Sequence, residues 1–361
     1  MNRLEDIKKY LCPPGFGVFT VNTAKERKNR LSEKLFGSVV KENIEAQWQL
    51  TIDKLKSNEL PVILGIPSDC GGGIQRGANW GPLFLRDTLL ELFEDTYLNA
   101  LDIGDVRVIP HLLHDKYLND ATIEKTREAL YCGAELPVSP LSITARCLSD
   151  IYNINPGARI FSMGGDHSVS FPLVKAWLES RNQQGIKAAL IHFDAHTDLL
   201  KDRLGIDYCF GSWLYHVLDD LQSPDLCYQY GIRSTGKSRG HWENEFGINQ
   251  IWAREIKAQG AELFVQQTIK ALKEKQVQEI YISFDIDTLD EYYAGATGTP
   301  EPEGLTPDVC VKMITMLTDN FQLTGADVVE IAPMVGLSES VSRRTLESGA
   351  LISSTLLNGL K

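Results

Sequence analysis

Residues 188–198 read AALIHFDAHTD, an apolar run followed at once by three side chains that can bind a metal ion. The apolar part, residues 188–193, predicts a buried strand. Because every second side chain of an extended segment points the same way, we expect Asp194, His196 and Asp198 to face one point. Two carboxylates and an imidazole suit a divalent cation such as Mn, Co, Ni or Zn. The alternative is a polar loop in which Asp198 caps a helix and His196 is solvated.

Around this stretch, apolar runs of strand type alternate with segments of helical periodicity, and no Asn-Gly hairpin signal separates the runs. Strands are predicted at residues 61–66, 101–110, 159–163, 226–232, 279–284 and 326–331, and helices at residues 43–56, 81–93, 141–151, 171–181, 261–275, 308–317 and from 342 onward. This alternation is typical of an α/β fold with parallel crossovers and helices on both faces of one sheet. We predict one catalytic domain over residues 59–361, with residues 1–58 as an N-terminal extension packed on it.

Composition excludes several classes of protein. The chain has 361 residues and a formal net charge of −12, from 36 Lys and Arg against 48 Asp and Glu, which argues against a nucleic-acid partner. Its seven cysteines are odd in number and irregularly spaced, so we expect reduced thiols. The first residues lack a signal pattern, and no apolar run is long enough to span a bilayer. These features predict a cytoplasmic protein without a membrane partner.

Further metal-capable side chains occur where other predicted strands end. His167 follows the strand at residues 159–163, Asp285 and Asp287 follow the strand at 279–284, and Glu330 lies at the end of the strand at 326–331. Each of these residues alone could belong to a turn, cap a helix or be a surface acid. In open α/β sheets, however, ligands bind outside the carboxyl ends of the strands. The positions therefore predict one shared site.

The predicted ligand set is larger than one cation needs. Two imidazoles and four carboxylates fit two divalent ions that share bridging carboxylates, and such pairs activate water near neutral pH. Cysteine is absent from the set, which makes a zinc-thiolate site unlikely on chemical grounds. The mixture of oxygen and nitrogen donors fits two Mn²⁺ ions best, with Ni or Co as alternatives.

The motifs together resemble those of ureohydrolases of the arginase/agmatinase family. The resemblance covers roughly residues 60–350 and rests on the segments GGDHS at 164–168, DAHTD at 194–198, SFDID at 283–287, GATGTP at 295–300 and DVVE at 327–330. It implies a three-layer α/β/α sandwich with a mainly parallel central sheet, assembled as a homo-oligomer, a trimer or a hexamer. It also implies a small guanidino or amidino compound as the substrate.

The same resemblance implies a role for each ligand. One Mn²⁺ would be held by His167, Asp194, Asp198 and Asp285, and the other by Asp194, His196, Asp285 and Asp287, so that Asp194 and Asp285 bridge the ions. Hydroxide activated by the ions would attack the central carbon of the guanidinium. Glu330 would pair with this planar cation, and Asp198 would hold the hydroxide and pass its proton to the departing amine.

The chain departs from the family pattern in the loop after residue 198. Many relatives carry a His-Gly pair there, but Phe210 stands where that histidine would be, and it cannot transfer a proton. His216 and His241 are the candidate replacements. Leu199 and Leu200 occupy the place of an asparagine typical of arginases, so recognition of a free amino acid is doubtful.

We therefore predict an agmatinase-like hydrolase that releases urea from a small cationic substrate. The alternatives within enzymes are a formimidoylglutamase and a guanidino-acid hydrolase. A further alternative, from another class, is a catalytically weak family member that retains its metals for structure or assembly.

Overall fold

The sheet accounts for the organisation of the molecule. The computed structural model describes residues 3–361, so Met1 and Asn2 of the predicted N-terminal extension lie outside the described residues. Within residues 3–361, nine strands form one sheet: β1 (Leu11–Cys12), β2 (Val62–Gly65), β3 (Leu101–Val106), β4 (Ile160–Met163), β5 (Ala188–Phe193), β6 (Cys227–Ile232), β7 (Asn249–Trp252), β8 (Glu279–Asp285) and β9 (Gln322–Val329).

The strand order across the sheet is β1-β3-β2-β4-β9-β8-β5-β6-β7. Only β1, at one edge, is antiparallel to its neighbour β3, and all the other pairs are parallel. Every residue of β5 and β8 is buried, as expected for parallel strands covered on both faces. The predicted mainly parallel sheet is therefore confirmed, and with it the three-layer α/β/α sandwich.

Helices supply the two outer layers. Within the described residues they are α1 (Arg3–Tyr10), α2 (Lys25–Phe36), α3 (Lys41–Asp53), α4 (Gly81–Leu92), α5 (Glu94–Leu98), α6 (Asp120–Tyr131), α7 (Pro140–Ile154), α8 (Ser170–Gln183), α9 (Arg239–Phe246), α10 (Ala253–Gln259), α11 (Ala261–Glu274), α12 (Pro307–Thr318) and α13 (Glu339–Gly359). Helices α1, α7 and α8 pack successively on one another, and α2, α4, α13, α12 and α11 form a second such series.

The segment before residue 58 contacts the sheet directly. Strand β1 pairs with β3, and the indole Nε1 of Trp48 donates a hydrogen bond of 2.8 Å to the carbonyl oxygen of Ile103. The carboxylate of Asp105 accepts hydrogen bonds from the backbone amides of Gly15 and Gly17 at 2.9 and 3.1 Å. These bonds attach the segment to the edge of the sheet, while the domain boundary at residue 58 stays a prediction.

Some predicted boundaries were wrong. The strand predicted over residues 101–110 ends at Val106, and the last strand runs from Gln322 to Val329 rather than over 326–331. Strand β1 was missed because two residues are too few to show a period, and β7 because its sequence, NQIW, is half polar and contains no apolar run. Helix α6 was missed because, of its twelve residues, only Tyr131 is buried, which leaves no apolar stripe to recognise.

Four neighbouring strands place the site. Strands β4, β9, β8 and β5 are adjacent, and their register aligns Met163 with Val328, Val328 with Phe284, and Phe284 with Phe193. The four carboxyl ends therefore lie side by side at one edge of the sheet. Among residues 3–361, no helix has both the length and the apolar character needed to cross a bilayer.

Candidate metal centre

A first cluster of ligand atoms surrounds His167, which begins a short turn directly after the loop that follows β4. Its Nδ1 lies 3.2 Å from Asp194 Oδ2, 3.0 Å from Asp198 Oδ2 and 3.1 Å from Asp285 Oδ2. All four side chains are buried. Residues from three separate strand ends therefore bring one nitrogen and three oxygens to a common point.

A second cluster adjoins the first and shares Asp194 with it. His196 Nδ1 lies 3.4 Å from Asp194 Oδ1 and 3.1 Å from Asp287 Oδ2. Asp194 thus faces His167 with one carboxylate oxygen and His196 with the other. The structure brings all six predicted ligands together, around two centres rather than one. Whether Asp285 also bridges to the second centre stays a prediction.

The predicted cause of this convergence, the alternation of side chains along an extended segment, was wrong. Strand β5 ends at Phe193, and residues 194–198 form a loop in which Asp198 has a left-handed backbone with φ of 51°. The chain turns because Asp194 Oδ1 accepts a hydrogen bond of 2.7 Å from the amide of His196, two residues on. The alternation of an extended segment is therefore lost, and His196 points toward Asp287 instead of toward His167.

The second acidic motif turns in the same way. Asp285 Oδ1 accepts a hydrogen bond of 2.9 Å from the amide of Asp287, which lies in the short turn Ile286–Thr288. Asp285 consequently stays beside His167, whereas Asp287 joins His196. Asp287 is held by the amide of Ala195 at 3.1 Å and by the hydroxyl of Thr299 at 3.1 Å. The two carboxylates of one motif therefore lie beside different histidines.

The residues fit divalent cations. Nδ1 of His167 is buried and makes no hydrogen bond within the described residues, although three carboxylate oxygens face it. Burial, together with the charges of Asp287 and Asp194, raises the pKa of Asp285 well above its ordinary value. Burial and the charge of Asp194 also raise the pKa of Asp198. Buried carboxylates whose pKa values are raised, as those of Asp198 and Asp285 are, would be stabilised in their charged form by divalent ions.

One neighbour of the centre was missed by sequence reasoning. His192, inside β5, places Nε2 at 2.9 Å from Asp194 Oδ2, and its Nδ1 lies 2.9 Å from the amide nitrogen of Gln229. Because that amide nitrogen donates to Nδ1, the proton of the neutral ring is on Nε2 and points at Asp194. The available signal was proximity in sequence, since His192 lies two residues before Asp194 at the end of β5.

Two other contacts orient the ligands. Nε2 of His167 lies 3.1 Å from the hydroxyl oxygen of Ser283, which donates to Asp327 at 2.8 Å. The indole of Trp213 donates a hydrogen bond of 2.8 Å to Asp198 Oδ2. Trp213 is fully buried, so it supports Asp198 from within the core. Bonds of this kind fix ligand orientation in metal sites.

Glu330 lies beside the metal centre, immediately after β9. Its backbone is left-handed with φ of 63°, and its Oε1 accepts a hydrogen bond of 2.8 Å from the amide of His167. Burial and the charge of Asp166 raise the pKa of Glu330 to about 8. This carboxylate lines an open cavity of about 370 Å³, whose wall includes Phe210 and Thr299. A second cavity, of about 620 Å³, shares Phe210 with this one. Neither cavity is lined by His216 or His241, the candidate replacements for the family histidine.

A mainly parallel α/β/α sheet with paired His/Asp clusters at its carboxyl edge is the architecture of a metal-dependent hydrolase. The comparisons with known proteins agree. The family model described as the arginase family matches residues 61–357. The chain belongs to the arginase family, and its enzyme class is that of the ureohydrolases, which act on guanidino C–N bonds.

Several relatives carry the name agmatinase. One from Citrobacter koseri is 34% identical over 290 residues, which cover 77% of this chain and 81% of the relative. One from Chromobacterium violaceum is 31% identical over 291 residues, covering 77% of each chain. A crystal structure of a hypothetical agmatinase from Burkholderia thailandensis superposes with a TM-score of 0.62 at 28% identity, covering 84% of this chain and 86% of that one.

Proposed function

We propose that this ureohydrolase releases urea from a small guanidino compound at two divalent metal ions, with Mn²⁺ as the preferred metal. The observation that carries the proposal is the pair of His/Asp clusters sharing Asp194, with Glu330 beside them lining an open cavity. The agmatinases among its relatives support a guanidino substrate.

Each metal position has its own residues in this proposal. His167, Asp194, Asp198 and Asp285 hold one ion, and Asp194, His196, Asp285 and Asp287 hold the other. When bound, the two ions supply an activated water near neutral pH. Asp287 belongs to one position alone, so a change there affects one ion first.

Glu330 binds the guanidinium. A carboxylate matches the planar fork of this cation with two parallel hydrogen bonds. The amide of His167 already occupies one side of Oε1 and fixes the orientation of the carboxylate. Burial raises the pKa of Glu330 to about 8, so a cation that enters the cavity gives this carboxylate the partner it lacks.

Asp198 handles the proton. Its Oδ2 faces His167 and also accepts the hydrogen bond from Trp213, which fixes the orientation of the carboxylate. With Phe210 in place of a histidine, Asp198 both receives the proton of the water and returns it to the departing amine. The raised pKa of Asp198 favours such a transfer near neutral pH.

The first experiment assays the Mn-loaded chain for urea with agmatine and other guanidino compounds. We expect urea to be released, and we expect Asp287→Ala to lose one metal ion per chain and all turnover while its circular dichroism stays unchanged. Glu291→Ala is the matched control, since Glu291 is an exposed acid nearby and should retain both ions and activity.

Other results would contradict the proposal. Full activity of Asp287→Ala would refute the assigned mechanism. Formamide from formimidoylglutamate would favour the formimidoylglutamase alternative. No turnover of any compound with both metal positions filled would favour a catalytically weak member that keeps its metals for structure.

Location and assembly complete the proposal. We infer that the protein is cytoplasmic. This inference is supported by the seven cysteines, all of which are free thiols. The family resemblance supports a homo-oligomer, a trimer or a hexamer, and mass photometry of the purified chain tests this number directly.

A further inference from the structure

Phe210, which stands where the family pattern has a histidine, lies under a positively charged side chain. Both residues line the cavity that contains Glu330, which we call the active-site cavity. The guanidinium carbon of Arg203 lies 5.0 Å from the centroid of the Phe210 ring. The ring itself is fixed, because the amide of Phe210 donates a 3.0 Å hydrogen bond to the carbonyl oxygen of Gly71 and the ring packs against Gly73. A cation on an aromatic face is attracted by the ring quadrupole, so Phe210 is a platform for Arg203.

The charge of Arg203 is not neutralised by the protein. Its backbone is tied by reciprocal hydrogen bonds with Ile206, of 2.9 and 3.0 Å, which close a tight turn. Its guanidinium, in contrast, makes neither an ion pair nor a hydrogen bond with any carboxylate among residues 3–361. The fork of donors is therefore free to bind a ligand.

The active-site cavity and the one beside it are lined by both acidic and basic side chains. The cavity of about 370 Å³ that reaches Glu330 adjoins a second one of about 620 Å³, and both are lined by Arg203 and Phe210. The outer cavity is also lined by Arg76 and His111. Among the described residues that line either cavity, Glu330 is the sole carboxylate. The local charge is thus opposite to the net charge of −12 of the whole chain.

We propose that the substrate carries a carboxylate at the end opposite its guanidino group, and that Arg203 binds this carboxylate. The inference rests on the proposed function, because it assumes that Glu330 holds the guanidinium. Arg203 offers a planar fork that matches a carboxylate bidentately. An ammonium tail, such as that of agmatine, would instead lie against Arg203 and be repelled.

The test compares three compounds with the same cationic head and the same chain length: 4-guanidinobutanoate, agmatine and n-butylguanidine, whose tail carries no charge. With the metal-loaded full chain, we expect kcat/KM for the acid to exceed that for agmatine about tenfold, as one attractive and one repulsive contact at an exposed charge would give. The difference should lie mainly in KM. Binding of the same compounds is measured in parallel by titration calorimetry.

Arg203→Glu should reverse the preference so that agmatine exceeds the acid, and Arg203→Gln should abolish it, with melting temperatures checking that both variants fold. The matched control is Arg254→Glu. Arg254 also lies over an aromatic ring, 4.6 Å from the centroid of Trp252, but lines neither cavity. It should leave the ratio of acid to agmatine unchanged.

The outcomes separate the two proposals. Urea from agmatine at least as fast as from the acid, or an unchanged ratio in Arg203→Glu, overturns the carboxylate tail and leaves the ureohydrolase function intact. Tighter binding of the acid that depends on Arg203, without hydrolysis of any compound, supports the tail and refutes the proposed function.

Discussion

Asp194 is the side chain on which both metal positions depend. Its Oδ1 accepts a hydrogen bond from the backbone amide of His196, and its Oδ2 lies 2.9 Å from Nε2 of His192. A carboxylate bonded at both oxygens is held against rotation, so each oxygen keeps facing its own cluster. The precision of the centre at the residue scale therefore comes from His192 and from the groups that orient its ring.

Gln229→Leu tests this dependence. The side-chain amide of Gln229 donates to Nδ1 of His192 at 2.9 Å and to the carbonyl oxygen of Thr197 at 2.8 Å. Leucine keeps the bulk but removes these two bonds and the 2.8 Å hydrogen bond that Gln250 donates to Oε1 of Gln229, so His192 is free to change its tautomer and turn from Asp194. We expect metal affinity to fall about 10-fold to 100-fold, measured by titration calorimetry with Mn²⁺.

Thr268→Val is the matched control for that change. Thr268 hydrogen-bonds the hydroxyl of Tyr230 at 2.6 Å, and Tyr230 follows Gln229 on β6 but faces the other side of the sheet. The variant also loses one buried hydrogen bond, so we expect a lower unfolding free energy with unchanged metal affinity. An equal loss of affinity in both variants would show that the effect of Gln229 is general destabilisation.

At the scale of elements, one ion-pair cluster joins helix α4 to strand β3. Arg86 is fully buried, and its Nε lies 2.7 Å from Asp102 Oδ2, while its Nη1 pairs with Asp105. The carboxylate of Asp105 in turn accepts hydrogen bonds from the backbone amides of Gly15 and Gly17. A helix, an outer strand and the N-terminal segment are therefore linked through one guanidinium.

Arg86→Met should destabilise the fold severely. The substitution leaves two carboxylates, Asp102 and Asp105, buried without their cation, which costs about 3–5 kcal/mol of unfolding free energy. Chemical denaturation followed by circular dichroism measures this loss. Arg343→Met is the control, because Arg343 pairs with Glu91 between α13 and α4 at the surface, where such a pair contributes about 0–1 kcal/mol. Equal losses in the two variants would contradict the role given to Arg86.

At the scale of the whole molecule, acidic charge is gathered at the edge of the sheet where four strands end. The apolar strands and the helices on both faces form the core independently of this edge, since they are buried without contribution from the ligands. Bound cations should therefore raise stability without being required for the fold.

Chelation tests this view. Removing the ions should lower the melting temperature, because each ion at about 100 times its Kd adds about 2.7 kcal/mol of stability. Differential scanning fluorimetry measures the shift, and circular dichroism should report unchanged secondary structure at 25 °C. Asp287→Ala, with one ion fewer, should show a smaller shift. Identical melting temperatures with and without chelator would contradict a metal centre in the purified protein.

The strands were predictable where their residues form long apolar runs, as in β5 and β8, because burial on both faces leaves a local pattern. The ligands were predictable from residue type and from their position after such runs. Their division between two ions followed only from the family resemblance, because the residue pattern does not show the turns that Asp194 and Asp285 make with backbone amides. His192 was missed because, within an apolar run, a histidine looks like part of the core.

The sequence by itself determined the α/β class, the six ligand candidates and the family, because apolar periodicity and motif residues are local properties of the chain. Only the tertiary structure decided which strands are neighbours, which contacts orient Asp194 between the two clusters and that the guanidinium of Arg203 lies over the ring of Phe210. These relations join residues that are distant in sequence or separated by turns, and no local pattern encodes them.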